Sequence, residues 1–449
     1  MGLRSLTSHR EIDLTGGRIT SSILRFALPM ALGNLLQQFY NIADTAIVGR
    51  FIGPGALAAV GSSYSLTTFL LSVIIGLCMG SSVLFSIKTG AGDKAGLRRS
   101  VFTAFILIGS VTLAVTFLIL LLLDPAIRLM NVPMEIFHDT RIYLAIVCAG
   151  IPLTFIFNFF AYLLRSIGNS ATPLWFLGIS VLMNIVLDLL LIPGFGMGTG
   201  GAALATVISQ GFSAAALAWY TLVKYRELIP RKEDMSISRK GLTLISSYSF
   251  LTCIQQSVMN FGILMVQGLV NTFGTAVMAA FATAVKIDAF AYMPVQDFGN
   301  AFSTFVAQNY GAGKADRIRK GVKSAFLCSG AYALAVSVCI FAAAPLLMKA
   351  FTGNEPDVIA YGVRYLRIEG SFYVGIAWLF LFYGLFRAVG RPGFSLVLTI
   401  ISLGLRVAIS YAFAPDFGLD WIWWSIPIGW IAADAIGAMK YLAVKKDRI

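Results

Sequence analysis

Gly90-Ala-Gly-Asp-Lys-Ala-Gly-Leu-Arg-Arg-Ser-Val101 returns, without a gap, as Gly311-Ala-Gly-Lys-Ala-Asp-Arg-Ile-Arg-Lys-Gly-Val322. Both copies are short basic loops between long apolar runs. The same register carries Gly53 onto Gly274 and Ala58-Ala59 onto Ala279-Ala280, and further on Leu164-Arg-Ser-Ile-Gly168 echoes Phe386-Arg-Ala-Val-Gly390. The chain is therefore read as a duplicated unit. Neither Gly-Ala-Gly loop is a phosphate loop, since neither has Walker spacing or a following Lys-Ser/Thr.

The runs around these loops decide the class. Of 449 residues 58% are hydrophobic and 12% charged, with a mean hydropathy of +0.81; soluble domains carry about 25% charged residues. Segments of membrane-crossing length recur from end to end, near 20–50, 57–88, 97–123, 138–164, 172–193 and 201–225, then 241–271, 276–310, 317–347, 358–388, 393–414 and 421–444. The expectation is an all-α polytopic membrane protein with about twelve transmembrane helices. A membrane barrel would instead alternate over segments of about ten residues. Gly53-Pro54-Gly55, Pro193-Gly194 and Gly390-Arg391-Pro392 punctuate the runs, and Pro29, Pro152 and Pro294 are expected inside helices.

Charge orients the chain. The net charge of +13 sits in alternate loops, around Lys88–Arg99, Lys224–Lys240, Lys314–Lys323 and Lys440–Arg448, an asymmetry of about fivefold that places both termini in the cytoplasm. Nucleic acid is not the expected partner. The two Gly-Ala-Gly loops then share a side, so the repeats are parallel: two six-helix lobes, 1–225 and 241–449, related by a pseudo-two-fold axis along the membrane normal, with a cytoplasmic linker at 226–240. Residues 1–18 lack the apolar core of a cleavable signal peptide. His9 and His138 read as surface residues. The five cysteines lie in apolar segments with no metal spacing. Neither a metal cluster nor a nucleophile constellation points to an enzyme, and no cofactor is expected.

The candidate chemistry is a few polar groups in apolar helices, where ionisable residues are costly and usually face a bundle interior or water. In Met183-Asn-Ile-Val-Leu-Asp-Leu-Leu-Leu-Ile-Pro193, Asn184 and Asp188 are four apart and share a helix face. Asp188 lies roughly 7–8 Å and Asp44 roughly 13 Å below their helix ends, and Thr206 reaches a similar depth. Asp44, Asn184, Asp188 and Thr206 would thus converge in the outer half of the first lobe. This hard-oxygen set suits H⁺ or Na⁺, and two close carboxylates do not both ionise cheaply. The bland alternative is a helix-bridging hydrogen-bond cluster.

The second lobe offers Lys286, Asp288, Asp297 and Glu369 as coupling or substrate groups. Glu369 is the expected counter-ion of Lys286, and Arg406 with Asp434 an expected structural pair. Asn34, Gln37, Gln38, Gln255 and Gln256 are candidates to line a cavity. No ATPase motif is present, so energy would come from an ion gradient or from downhill movement.

Pro29, Gln37-Gln38, Asp44-Thr-Ala-Ile-Val-Gly49, Gly53-Pro-Gly-Ala-Leu-Ala-Ala-Val60, Asn184, Asp188 and Gln308-Asn-Tyr-Gly-Ala-Gly313 together resemble the multidrug and toxic compound extrusion (MATE) family over nearly the whole chain. The resemblance implies a V-shaped pair of six-helix bundles exporting organic cations in exchange for H⁺ or Na⁺. It also implies a bacterial branch whose ion site falls here on Asp44, Asn184, Asp188 and Thr206. Members coupling through the second lobe are similar in having a seventh-helix carboxylate, where this chain has Gln255 and Gln256. The resulting expectation is a monomeric inner-membrane antiporter for amphipathic cations. A lipid-linked oligosaccharide or precursor flippase of the same superfamily is the alternative; it would need several cavity cations, and only Lys286 and Arg406 offer themselves.

Overall fold

The computed structural model describes residues 11–446; His9 and Arg448 lie outside them. Among the described residues the regular structure is helical. Ten helices are long and apolar enough to cross a membrane, and two bent pairs bring the count of spans to twelve.

The bends correct the reading of 138–164 and 358–388 as continuous helices. Helix α5 (Met134–Ala149) meets α6 (Ile151–Ser166) at 41°, and α12 (Pro356–Gly370) meets α13 (Tyr373–Ala388) at 51°. Pro152 stands in the first turn of α6, not inside a helix. Its missing N–H costs nothing there, because that donor would have no intrahelical partner. Pro29 and Pro294 do lie within helices, α1 (Ile19–Phe51) and α10 (Thr275–Gly311).

The internal repeat is visible in the backbone. Gly92 and Gly313 both have φ 68°, Gly53 and Gly274 have 115° and 99°, and Gly168 and Gly390 have 95° and 82°. These left-handed positions lie at helix ends, where a Cβ would be strained. Register read from sequence and backbone conformation therefore agree at all three pairs.

The chain divides into two compact units within two of its helices. The first holds Leu32–Cys253 with Ile12, and the second holds Asp13–Ala31 and Ile254 onward. The boundaries thus fall inside α1 and inside α9 (Arg239–Val270), whereas sequence composition suggested the polar linker at 226–240. That linker stays with the first unit because ion pairs hold it there. Arg98 on α3 (Lys94–Leu121) donates to Asp234 at 2.5 Å, and Lys94 meets Glu227 at 2.7 Å.

In the first unit α2 (Pro54–Gly90) is the central helix, with 78% of its spanning window buried. Its glycines allow the close backbone approach that membrane helices use in place of a hydrophobic driving force. A Cβ on Gly80 would come within 2.3 Å of the Tyr248 carbonyl, and one on Gly76 within 2.7 Å of Cys253 Cα. Phe85, Phe105 and Phe155 pack around Phe159 at centroid distances of 5.2–6.1 Å. In the second unit α10 and α13 approach in the same way, through Gly299 and Gly384, with Ser303 Oγ donating to the Gly384 carbonyl at 3.1 Å. Leu14–Gly17 is fastened to this unit: Asn309 Nδ2 donates to the Leu14 carbonyl at 3.0 Å, Lys314 Nζ to Thr15 at 2.8 Å and Arg317 Nη1 to Gly17 at 2.9 Å.

Candidate cation site

Three elements of the first unit build the site. Helix α1 supplies Asp44, and α7 (Ala171–Leu189) supplies Asn184 and Asp188 from one face. Helix α8 (Gly198–Lys224) supplies Thr206. Immediately after Asp188 the chain widens into a π-helical turn, Leu190–Gly194, that accommodates Pro193. Such turns break the regular ladder and often lie beside functional groups.

The four residues come together as the sequence suggested. Asp44, Asn184, Asp188 and Thr206 are 7%, 1%, 0% and 8% exposed. The Asp44 and Asp188 carboxyls are close enough for each to act on the other. A hydrogen bond between two carboxyls requires a proton between them. In the amide orientation that satisfies both ends, Asn184 Nδ2 donates to Asp188 Oδ2 at 2.9 Å and its oxygen accepts from the Thr206 N–H at 3.2 Å. Thr206 Oγ1 donates to the Ala202 carbonyl at 3.1 Å, which leaves the Tyr40 hydroxyl to donate to it at 2.9 Å.

Two observations bear on the chemistry. Asp44 Oδ1 and Asp188 Oδ1 are buried without a hydrogen-bond partner. Among the described residues no Lys or Arg forms an ion pair with either acid. Buried acids without a resident counter-charge need a proton or a small cation, and two carboxylate oxygens, an amide and two hydroxyls are a fitting hard-ligand set.

Sequence reasoning missed Tyr40 and Tyr143. Tyr143 on α5 feels the charge of both acids. Tyr40 was legible, being four residues before Asp44 and hence on its helix face. Tyr143 was not, because neither Asp44 nor Asp188 shares its helix; the acids of α5 itself, Glu135 and Asp139, are not part of the cluster.

The second-unit candidates are arranged differently from expectation. Asp288 and Glu369, 3% and 4% exposed, do meet, lying within hydrogen-bonding range of each other. Tyr373 donates to Asp288 Oδ1, and Tyr365 to its Oδ2 at 3.4 Å. The charge of Arg406 acts on both acids without an ion pair to either, and Glu369 Oε2 and Arg406 Nε are buried without hydrogen-bond partners. Lys286 is exposed and makes no ion pair among the described residues, so the expected Lys286–Glu369 pair is not formed: two residues from Asp288, Lys286 points off the face that Asp288 buries. The expected Arg406–Asp434 pair is also absent among the described residues, and the Arg406 charge acts on Glu369 and Asp288 instead. Asp297 is buried, nine residues or about 14 Å along α10 from Asp288, and does not join that cluster. Gln255 is buried with its Oε1 unpartnered. Gln37, Gln38 and Gln256 are half-buried and Asn34 is exposed.

The MatE family model matches residues 29–190 and 249–412. The chain belongs to the multidrug and toxic compound extrusion (MATE) family. It is a multi-pass membrane transporter of that family of drug exporters. Its relatives include the probable multidrug resistance protein YpnP of Bacillus subtilis, 28% identical over 96% of this chain and 97% of that protein. The probable multidrug resistance protein NorM of Thermotoga maritima is also 28% identical, over 89% and 87%. A solved MOP superfamily transporter from Pyrococcus furiosus superposes with a TM-score of 0.90 at 26% identity, covering 97% of this chain and 99% of that one.

Proposed function

We propose that the protein is a secondary antiporter of the inner membrane, exporting amphipathic organic cations in exchange for H⁺ or Na⁺ bound at Asp44 and Asp188. The observation that carries this reading is the contrast between the two acidic clusters. The Asp288–Glu369 pair lies within reach of the Arg406 charge and takes two tyrosine donors at Asp288, whereas among the described residues the Asp44–Asp188 pair has an orphaned oxygen on each acid and no basic group acting on it. Only the second kind of cluster gains much by taking up a mobile cation.

Exchange then follows from differential affinity. The ion and the cargo favour opposite states of the transporter, and each shifts the population away from the other. Asn184 and Thr206 fix the carboxyl geometry, and Tyr40 holds Thr206. The termini lie in the cytoplasm by the distribution of Lys and Arg, and the working unit is a monomer. The flippase alternative would need several cationic groups gathered at one cavity, and the two candidates in the second unit, Lys286 and Arg406, are one exposed and one buried. The test is efflux of a fluorescent organic cation from proteoliposomes under separately imposed pH and sodium gradients. Gradient-driven efflux by the Asp44→Asn and Asp188→Asn variants equal to that of the parent would reject the assignment.

A further inference from the structure

A groove of about 860 Å³ opens between α11 (Ala315–Thr352), α13 and α15 (Asp420–Lys446) of the second unit, within the range of sites that hold drug-sized molecules. Its wall is aromatic: the Phe326 ring lies 5.8 Å from Trp378 and 5.0 Å from Phe382. The Trp378 indole N–H is already committed to the Phe326 carbonyl at 3.2 Å, so the ring offers its π face to a ligand rather than a donor.

One acid lines this groove. Asp434 Oδ1 is buried and has no hydrogen-bond partner. Its Oδ2 comes within 3.8 Å of where a Cβ on Gly375 would stand, so the glycine leaves room beside the carboxylate. Among the described residues no Lys or Arg, Arg406 included, forms an ion pair with Asp434. The two basic residues on the groove, Arg319 and Lys323, are at its other end. Arg319 acts on Tyr441 and meets Asp316 at 3.5 Å, and Tyr441 is seven residues, about 10 Å of helix, from Asp434. The acid is thus without a counter-ion in an aromatic setting.

We propose that this groove binds a lipophilic monovalent cation, with Asp434 as its counter-ion and Phe326, Trp378 and Phe382 as its aromatic wall. A cation removes the cost of the unpaired carboxylate, and a bulky apolar one also gains from the ring faces. A phospholipid held by its phosphate at Arg319 and Lys323 would fill the length but leave Asp434 against an acyl chain, so it matches the charges less well. The site lies in a different unit from Asp44 and Asp188. Its role as a point of cargo capture rests on the export reading; binding itself does not.

The probe is radiolabelled tetraphenylphosphonium, titrated against the full-length protein in lipid nanodiscs. Asp434→Asn should weaken a saturable component by about tenfold or more. The Asp44→Asn/Asp188→Asn double variant should keep that component, and neutral triphenylphosphine oxide should not compete for it. Independently of any variant, an azido derivative of the probe should label wild-type peptides containing Trp378 or Ile431–Leu442, and excess unlabelled probe should suppress that labelling. Unchanged affinity in Asp434→Asn, equal competition by the neutral analogue, labelling confined elsewhere, or a co-purified phospholipid that the probe does not displace would each overturn the proposal. Transport unaffected by the first-unit variants, with groove binding intact, would instead count against the coupling assignment alone.

Discussion

Replacing Asp188 by Asn isolates the charge of the cation site from its shape. Asparagine keeps an oxygen to accept from Asn184 Nδ2, now at 2.9 Å, and brings an amide able to donate to Asp44, so the helix contacts survive. What disappears is one of the two ionisable carboxyls, and with it the negative charge that it can offer to a coupling ion. A lost charge-assisted contact of roughly 1.5–3 kcal/mol corresponds to about a 10- to 150-fold weaker hold on the coupling ion.

The assay is the initial rate of organic-cation efflux from proteoliposomes as a function of the imposed ion gradient. The variant should need a correspondingly larger gradient for half-maximal rate, with its melting temperature close to that of the parent. Asp44→Asn should shift the same way, and the double variant should lose gradient dependence. If both single variants respond to the gradient as the parent does while remaining folded, the acids bridge helices and the coupling argument fails.

Tyr40→Phe removes the donor to Thr206 Oγ1 at 2.9 Å; at about 1 kcal/mol for a neutral hydrogen bond, ion affinity should fall about fivefold in the same assay. Gly80→Val drives a side chain into the Tyr248 carbonyl, where even a Cβ would stand 2.3 Å away; overpacking on this scale costs about 1–3 kcal/mol, seen as a lower melting temperature in detergent. Arg406→Met removes the positive charge that acts on Asp288 and Glu369 and should lower the melting temperature, and Asp288→Asn added to it should recover part of the loss. At the linker, hydrogen bonds and charge from Arg98 hold the Asp234 carboxyl below the usual carboxylate range. A lowered folded value means that the stabilisation is present above the unfolded value of about 4 and is lost as pH falls through the folded value; hydrogen exchange of residues 226–238 should therefore rise at acid pH in the parent and lose that pH dependence in Asp234→Asn.

The span count, the repeat register and the first-unit site were legible because each leaves a mark in one dimension. Apolar length marks a span, and Gly90–Val101 against Gly311–Val322 marks a duplication. An acid in a run such as Met183–Pro193 stands out because it is costly there. The bends in the fourth and tenth spans were less legible. Pro152 was seen, but whether a proline kinks a helix or starts a new one depends on whether the preceding helix ends just before it, as α5 does at Gly150, two residues earlier. The bend after Gly370 has no proline at all.

Partners of buried charges were the least legible, and the reason is geometric. Depth along a helix follows from counting residues, so Lys286 and Glu369 were matched by depth, as were Arg406 and Asp434. Direction around the helix axis has no such ruler unless the packing faces are known. At 100° per residue, the two positions from Lys286 to Asp288 turn the side chain to nearly the opposite face, which buries the acid and exposes the amine. Arg406 could serve only one set of acids. Its charge acts on Glu369 and Asp288, and Asp434, which no described Lys or Arg pairs, is left as the unmatched carboxylate of the groove. The two misassigned pairs are therefore one error seen from two ends. Each cluster's chemistry follows from which side of helix α14 (Pro392–Phe417) the arginine takes.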